Sequence, residues 1–246
     1  MEQHKKVAIV TGASRGIGRS IAGVLASQEI IVVINYLNSE NEAQKLLSQI
    51  NDNGGQAVLF KADVSVESEV KKLVEFTVSQ FGTIDCLVNN AGKIIQPGNS
   101  STTEPIWNDT LDINVKSAWL MIRQVAPVMV NGGAIVNITS YVGQLGSQYV
   151  LPYGVAKAGL INLTKAYAKE LSPKIRVNSV SPGNINTTMT QSAGADFISK
   201  TINNTPLKRL GETIEVANAV AFLLSDQASF ITGVNLDVDG GYLLLN

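Results

Sequence analysis

Val7-Ala8-Ile9-Val10-Thr11-Gly12-Ala13-Ser14-Arg15-Gly16-Ile17-Gly18 is the stretch whose reading decides the fold. Its first four residues are apolar without a break, the pattern of a strand buried on both faces. Glycines follow at positions 12, 16 and 18, and a helical pattern then runs through Ser27. A strand that passes through a glycine-rich turn into a helix offers an anion free backbone N–H groups and the positive end of the helix dipole. The spacing differs from G-x-G-x-x-G, but the mechanics are alike: each glycine leaves room for a turn, a ligand or close helix packing. The turn therefore predicts a phosphate site.

The same alternation continues along the chain. Strand patterns cover residues 30–35, 57–61, 86–89, 134–139, 176–181 and 235–238, with helical patterns over 40–53, from about 66, and over 107–129, 153–171 and 214–225. Strands and helices in strict alternation, with no low-complexity linker, predict one α/β domain spanning 1–246. Its expected form is a single doubly wound parallel sheet, Rossmann-like, with helices on both faces. The polar, mixed segment at about 184–209 reads as a lid over a substrate. In such sheets ligands lie beyond the carboxyl ends of the strands. Thr11–Gly18, Asn35, Asp63, Asn89–Gly92, Ser140 and Pro182–Gly183 all fall on that edge.

Composition excludes several classes. At 246 residues the chain can bury a large core. A net charge of -1 supplies no polybasic field for nucleic acid or anionic lipid. One cysteine and one histidine rule out an internal disulfide framework and a zinc cluster. Cys86 lies in an apolar run and reads as a buried, inert thiol. His4 stands in the polar start, where fraying disfavours a Ser-His-Asp arrangement. That start does not resemble a signal peptide, and no run is long enough to span a bilayer. The expectation is a soluble, cytoplasmic protein without nucleic-acid or membrane partners.

Chemistry concentrates in residues 140–157. Pro152 suits the first turn of a helix, which places Tyr153 and Lys157 one turn apart on one face. A free phenol is too weak an acid to protonate a substrate readily at neutral pH, and a fixed ammonium nearby lowers its pKa. With a nicotinamide ring close by, Tyr153 would exchange a proton with a carbonyl or alcohol oxygen. Ser140, at the end of the fifth strand, would hold the same oxygen. Asn114, among apolar residues of a long helix, must find partners for its amide. It would orient a water or Lys157, or simply join two helices.

The end of the second strand bears on the cofactor. Residues 35–38 carry no acid to hold a ribose 2'-hydroxyl, and a carboxylate there would repel a 2'-phosphate. With Arg15 in the glycine loop, this favours NADP(H), NAD(H) remaining open; the alternative is that Arg15 is a solvated surface side chain and Asn35 tolerates either form. Asp63 would accept from the adenine amino group or cap the following helix.

These motifs together resemble the short-chain dehydrogenase/reductase family: Thr11-Gly12-(three residues)-Gly16-Ile17-Gly18, Asn89-Asn90-Ala91-Gly92, Asn114, Ser140, Tyr153-(three residues)-Lys157 and Pro182-Gly183. The resemblance covers nearly the whole chain. It implies a tetrad in which Tyr153 is the acid/base, Ser140 holds the substrate oxygen, Lys157 binds the nicotinamide ribose and acidifies the tyrosine, and Asn114 holds a water of a proton relay. The cofactor contacts it implies are Gly12, Ser14, Arg15, Gly16, Ile17 and Gly18, then Asn35, Tyr36, Asp63 and Val64. Asn90, Ala91 and Gly92 follow, with Tyr153, Lys157, Pro182, Gly183, Ile185 and Thr187. Homotetramers are common in the family, and the apolar ending at residues 242–245 would suit such an interface or cover its own core.

Within the family the chain is most similar to bacterial 3-oxoacyl-[acyl-carrier-protein] reductases, by Arg15-Gly16-Ile17-Gly18, Ile231-Thr232-Gly233 and Asp239-Gly240-Gly241. It departs from them at Lys93-Ile94-Ile95-Gln96-Pro97 and at Asn184-Ile185-Asn186-Thr187. The implied partners are a small carbonyl or alcohol substrate and an acyl carrier protein. A sugar, polyol or other secondary alcohol is the alternative substrate. A nucleotide-sugar epimerase or a non-catalytic dinucleotide-binding redox sensor are the rival classes.

Overall fold

The computed structural model describes residues 5–95 and 101–245, so the expectations placed on His4 and on Gln96-Pro97 lie outside the described residues. Seven strands form one parallel sheet in the order β3-β2-β1-β4-β5-β6-β7. β1 (Val7–Val10) leads into α1 (Gly16–Ser27), β2 (Ile31–Tyr36) into α2 (Glu40–Asp52), and β3 (Ala57–Lys61) into α3 (Glu67–Phe81). β4 (Ile84–Asn89) precedes α4 (Glu104–Leu111), a π-helical turn (Asp112–Lys116) and α5 (Ser117–Val125). β5 (Met129–Ile138), α6 (Val142–Leu145), α7 (Leu151–Leu171) and β6 (Ile175–Pro182) follow. α8 (Thr188–Gln191), α9 (Ala195–Asn204), α10 (Thr213–Leu224) and β7 (Asn235–Val238) complete the order.

The period-2 geometry of the strands explains the two layers. Ala8, Val10, Val32 and Ile34 point into one core with Ile21 and Leu25 of α1, Leu46 of α2 and Val216 and Val220 of α10. Val7, Ile9, Ile31 and Val33 point into the other with Leu73 of α3, Ile122 of α5 and Ala168 of α7. Both faces being covered, residues 7–10, 31–34 and 86–88 read as unbroken apolar runs. Ile9, Leu87 and Ile135 are wholly inaccessible, and truncating any of them to alanine should cost about 2–5 kcal/mol.

One helix departs from the sequence expectation. The predicted helix over 107–129 starts earlier, at α4 with Pro105 in its first turn, and it is interrupted by the π turn before α5. Pro127 lies in a 3-10 turn that closes the helical run, and Met129 already pairs with Ile84 as part of β5. The widened turn carries Asn114. Such single turns recur at functional sites because they re-aim a side chain without ending the helix.

The edge of the sheet that matters lies between β1 and β4. Chain order reverses there: β2 and β3 lie to one side of β1, and β4 to β7 to the other. Loops leaving the carboxyl ends of β1 and β4 therefore diverge and open a crevice.

Candidate active site

Backbone bonds and one threonine set the crevice. Thr11 Oγ1 accepts from the backbone amides of Asn90 and Ala91, both at 2.9 Å, and donates to Val88 O at 3.3 Å. The Asn90 amide returns from the other side, donating to Thr11 O at 2.8 Å and Gly12 O at 3.1 Å. The loops after β1 and β4 are thus clamped to each other. Sequence reading did not assign Thr11 a role of its own, since a hydroxyl after a strand gives no signal until its partner loop is known.

The glycines fit this close approach. Gly12 has φ +60°, and a Cβ there would lie 2.9 Å from Ala91 Cα. A Cβ on Gly18 would strike the Asn90 side-chain amide, and one on Gly183 would lie 2.6 Å from Asp239 Cα. Gly16 has φ +56° with only Thr187 Cγ2 nearby, at 3.9 Å, so the segment after β6 passes over the glycine loop there. No side chain caps the first turn of α1, and no acid stands in it, which leaves its N–H groups for an anion.

Several residues expected at the cofactor also serve the protein's own framework. Asn35 is a strut under the glycine loop: its Oδ1 accepts from Gly12 N at 3.2 Å, and its Nδ2 donates to Ala62 O at 3.0 Å and Phe60 O at 3.4 Å. Both ends of the amide are engaged and the residue is buried. Tyr36, Ile185 and Val64 bury their side chains in the two cores, leaving only backbone to meet a ligand. Ser14 is buried, Ile17 packs against a core, and Arg15 is exposed at the N-cap of α1. Asp63 Oδ1 accepts from Ser65 N at 2.9 Å and Ser65 Oγ at 2.6 Å, a local turn ahead of α3 in place of a cap on it. Thr187 accepts from Thr190 N at 3.3 Å and caps α8.

The predicted tetrad assembles beside this crevice. Pro152 stands in the first turn of α7, as the sequence requires, and carries Tyr153 and Lys157 onto one face. Lys157 Nζ lies 5.5 Å from the centre of the Tyr153 ring and donates to Ile138 O at 2.7 Å. Ser140 stands two residues past the end of β5 at Ile138, where its hydroxyl accepts from Val142 N at 3.3 Å and works to lower the Tyr153 pKa. Asn114 Nδ2 donates to Lys93 O at 2.8 Å and Thr110 O at 2.9 Å, while its buried Oδ1 has no partner among the described residues. Gly92 ties the group together: a Cβ on it would fall 2.6 Å from Asn114 Oδ1 and 3.6 Å from Lys157 Nζ.

Electrostatics correct one expectation. Burial pushes the Tyr153 phenol up to about 12, its bond to Ser140 opposing this, and Lys157 is not among the causes. Burial also pulls the Lys157 ammonium down to about 7. The protein's own groups therefore hold the phenol protonated at neutral pH, burial being the largest cause.

A polar ladder beneath the tetrad went unread in the sequence. Asn89 Nδ2 donates to Asn137 Oδ1 at 2.8 Å, Asn137 Nδ2 to Thr164 Oγ1 at 2.9 Å, and Thr164 Oγ1 to Leu160 O at 2.8 Å. It fixes α7 against β4 and β5. The available signal was Asn137 inside the apolar run 134–138, since a buried amide calls for partners.

Residues 12–243 match the family model described as enoyl-(acyl carrier protein) reductase. The chain is 43% identical over 239 residues to 3-oxoacyl-[acyl-carrier-protein] reductase FabG of Staphylococcus epidermidis, covering 96% of this chain and 98% of that one. It is 41% identical over 247 residues to cyclohexanol dehydrogenase of an Acinetobacter species, covering 97% and 95%. Among solved structures, a blue fluorescent protein from a metagenomic library, crystallised with NADPH, superposes with a TM-score of 0.92 at 33% identity, covering 96% of this chain and 97% of that one. A parallel sheet split at its switch point, a clamped glycine cradle and near full-length relatives agree: this chain is an oxidoreductase enzyme of the short-chain dehydrogenase/reductase family.

Proposed function

We propose that the chain is an NADP(H)-dependent carbonyl reductase acting on 3-oxoacyl thioesters, with Tyr153 as the acid that protonates the substrate oxygen. The observation that carries this is the convergence of Tyr153, Ser140, Lys157 and Asn114 beside a crevice where Gly12, Gly18 and Gly92 leave no room for a side chain. A nicotinamide dinucleotide fits that crevice. Uncapped N–H groups of α1 would take its phosphates, the open surroundings of Gly16 would leave them room, and Lys157 would hold a ribose hydroxyl. Bound there, the cofactor would supply the hydride.

The residues of the chain do the remainder. Ser140 donates to the carbonyl oxygen and orients it, and Tyr153, held protonated by its burial, delivers a proton to that oxygen as the carbon is reduced. The C=O double bond becomes a C–OH single bond with no charge left behind. The unpaired Asn114 Oδ1 suits a water placed between it and Lys157, through which the tyrosine recovers its proton. Preference for the phosphorylated cofactor is supported by the absence of any acid in β2 and by the exposed Arg15 beside the cradle. An acyl carrier protein, a homotetramer and a lid over residues 184–209 belong to the same reading.

NADPH oxidation measured against 3-oxoacyl thioesters, sugars, diketones and cyclic ketones tests it. Turnover is expected to be fastest with the thioesters, and titration should show NADPH bound more tightly than NADH. The 41% identity to a cyclohexanol dehydrogenase favours a second reading, a secondary-alcohol dehydrogenase. Faster oxidation of cyclohexanol than reduction of any thioester would select it.

A further inference from the structure

Gln144 stands outside the tetrad, yet it fastens the turn that follows Ser140 to the last two strands of the sheet. Its Nε2 donates to Asp237 Oδ1 at 2.7 Å and to Ser181 Oγ at 3.1 Å. Ser181 and Asp237 are register partners on β6 and β7, so one side-chain amide spans both strands. A carboxylate acceptor makes the shorter bond charge-assisted, and such bonds are roughly twice as strong as neutral ones. The turn needs an outside anchor: α6 is four residues long, and so short a helix does not hold itself.

That turn meets the tetrad on two sides. Gly143 N donates to Ser140 O at 2.9 Å and Gln144 N to Tyr141 O at 3.0 Å, so α6 starts directly on the serine. Its other side lies against α7. A Cβ on Gly143 would fall 2.7 Å from the carbonyl carbon of Lys157 and 2.8 Å from Ala158 N, and one on Gly154, the neighbour of Tyr153, would fall 3.3 Å from Val142 Cγ1. At Gly143 two backbones meet with no side chain between them, so a displacement of α6 passes straight to the segment that carries Lys157. The ammonium of that lysine is held at the end of β5, on Ile138 O at 2.7 Å, and a shift of its backbone would change how it stands toward Ser140.

We infer that Gln144 is a positioning residue for the reaction: through Asp237 and Ser181 it fixes α6, and α6 sets Ser140 and Lys157 relative to each other. This deepens the proposed carbonyl reduction and rests on it. The test exchanges the partners of the shorter bond. With NADPH, kcat and KM are measured for an acetoacetyl thioester and for cyclohexanone in the wild type, Gln144→Glu, Asp237→Asn and the double variant. Gln144→Glu sets two carboxylates against each other, Asp237→Asn still offers an amide oxygen to Gln144, and the double variant restores the bond with donor and acceptor reversed. In Gln144→Glu, kcat on whichever compound the wild type reduces should fall roughly tenfold, a part of the hundredfold that a misplacement of about 1 Å can cost. NADPH affinity by calorimetry should stay near the wild type's, which separates lost alignment from lost fold. Asp237→Asn should keep near wild-type turnover, and the double variant should recover it. Gln144→Ala, which removes the bond without repulsion, should lower kcat in the same direction and stands in should Gln144→Glu not fold. Wild-type kcat in the Gln144 variants, or no recovery in the double variant, overturns the inference alone. A wild type that binds NADPH and reduces neither compound overturns the carbonyl-reductase reading and the inference with it.

Discussion

Replacing Lys157 by methionine should make the protein more stable and also inactive. Lys157 is 3% exposed, and burial takes its pKa from 10.5 to about 7. At about 1.4 kcal/mol per pKa unit, that drop corresponds to a penalty of roughly 5 kcal/mol on burying the ammonium. Methionine follows the lysine stem without the charge, but it forfeits the 2.7 Å bond to Ile138 O, worth about 2 kcal/mol for a charged donor. The balance is a stabilisation of about 2–3 kcal/mol near pH 7, or roughly 5–10 °C in Tm for a chain of this size. Thermal unfolding followed by circular dichroism at one protein concentration reads it. The pH dependence carries a second signature. The unfolded lysine stays protonated up to about 10.5 while the folded one releases its proton near 7, so wild-type stability should rise with pH between those values. By pH 10 the penalty is nearly gone, and the methionine variant, lacking the hydrogen bond, should be the weaker of the two. A variant that melts below the wild type at pH 7, or a wild type whose stability is flat from pH 7 to 10, would refute the reasoning.

Other perturbations follow from the cradle. Asn35→Ala leaves Gly12 N–H and Ala62 C=O without their side-chain partners and should cost about 2–4 kcal/mol in urea denaturation. An unchanged midpoint would remove Asn35 from its place as a strut. Gly12→Ala meets both a positive φ and the Ala91 backbone at 2.9 Å, whereas Gly16→Ala meets the φ penalty of about 1–2 kcal/mol and open space. Calorimetry should therefore show NADPH affinity falling further in Gly12→Ala than in Gly16→Ala, and the reverse order would contradict the geometry.

The fold could be read from the sequence because both sheet faces are covered. Continuous apolar runs such as 7–10 and 86–88 have no other economical burial, and the glycines that follow the first of them mark a turn that only glycine adopts at φ +60°. The tetrad could be read because i and i+4 share a helix face whatever the tertiary context. The π turn at Asp112–Lys116 could not, since no residue pattern distinguishes it from ordinary helix. The bond from Gly12 N to Asn35 could not be read either, since a contact across 23 residues leaves no local trace. The direction of the Tyr153 shift was equally hidden: sequence shows the neighbouring lysine but not the burial that sets the direction.

Tyr153→Phe removes one oxygen from the assembled site and leaves the cradle and Lys157 in place. With a 3-oxoacyl thioester and saturating NADPH, the variant should bind the cofactor as the wild type does and lose turnover by about a hundredfold or more, the usual contribution of a positioned acid. Wild-type turnover in that variant would mean that another group supplies the proton, and the roles assigned here to Tyr153, Ser140 and Asn114 would be wrong.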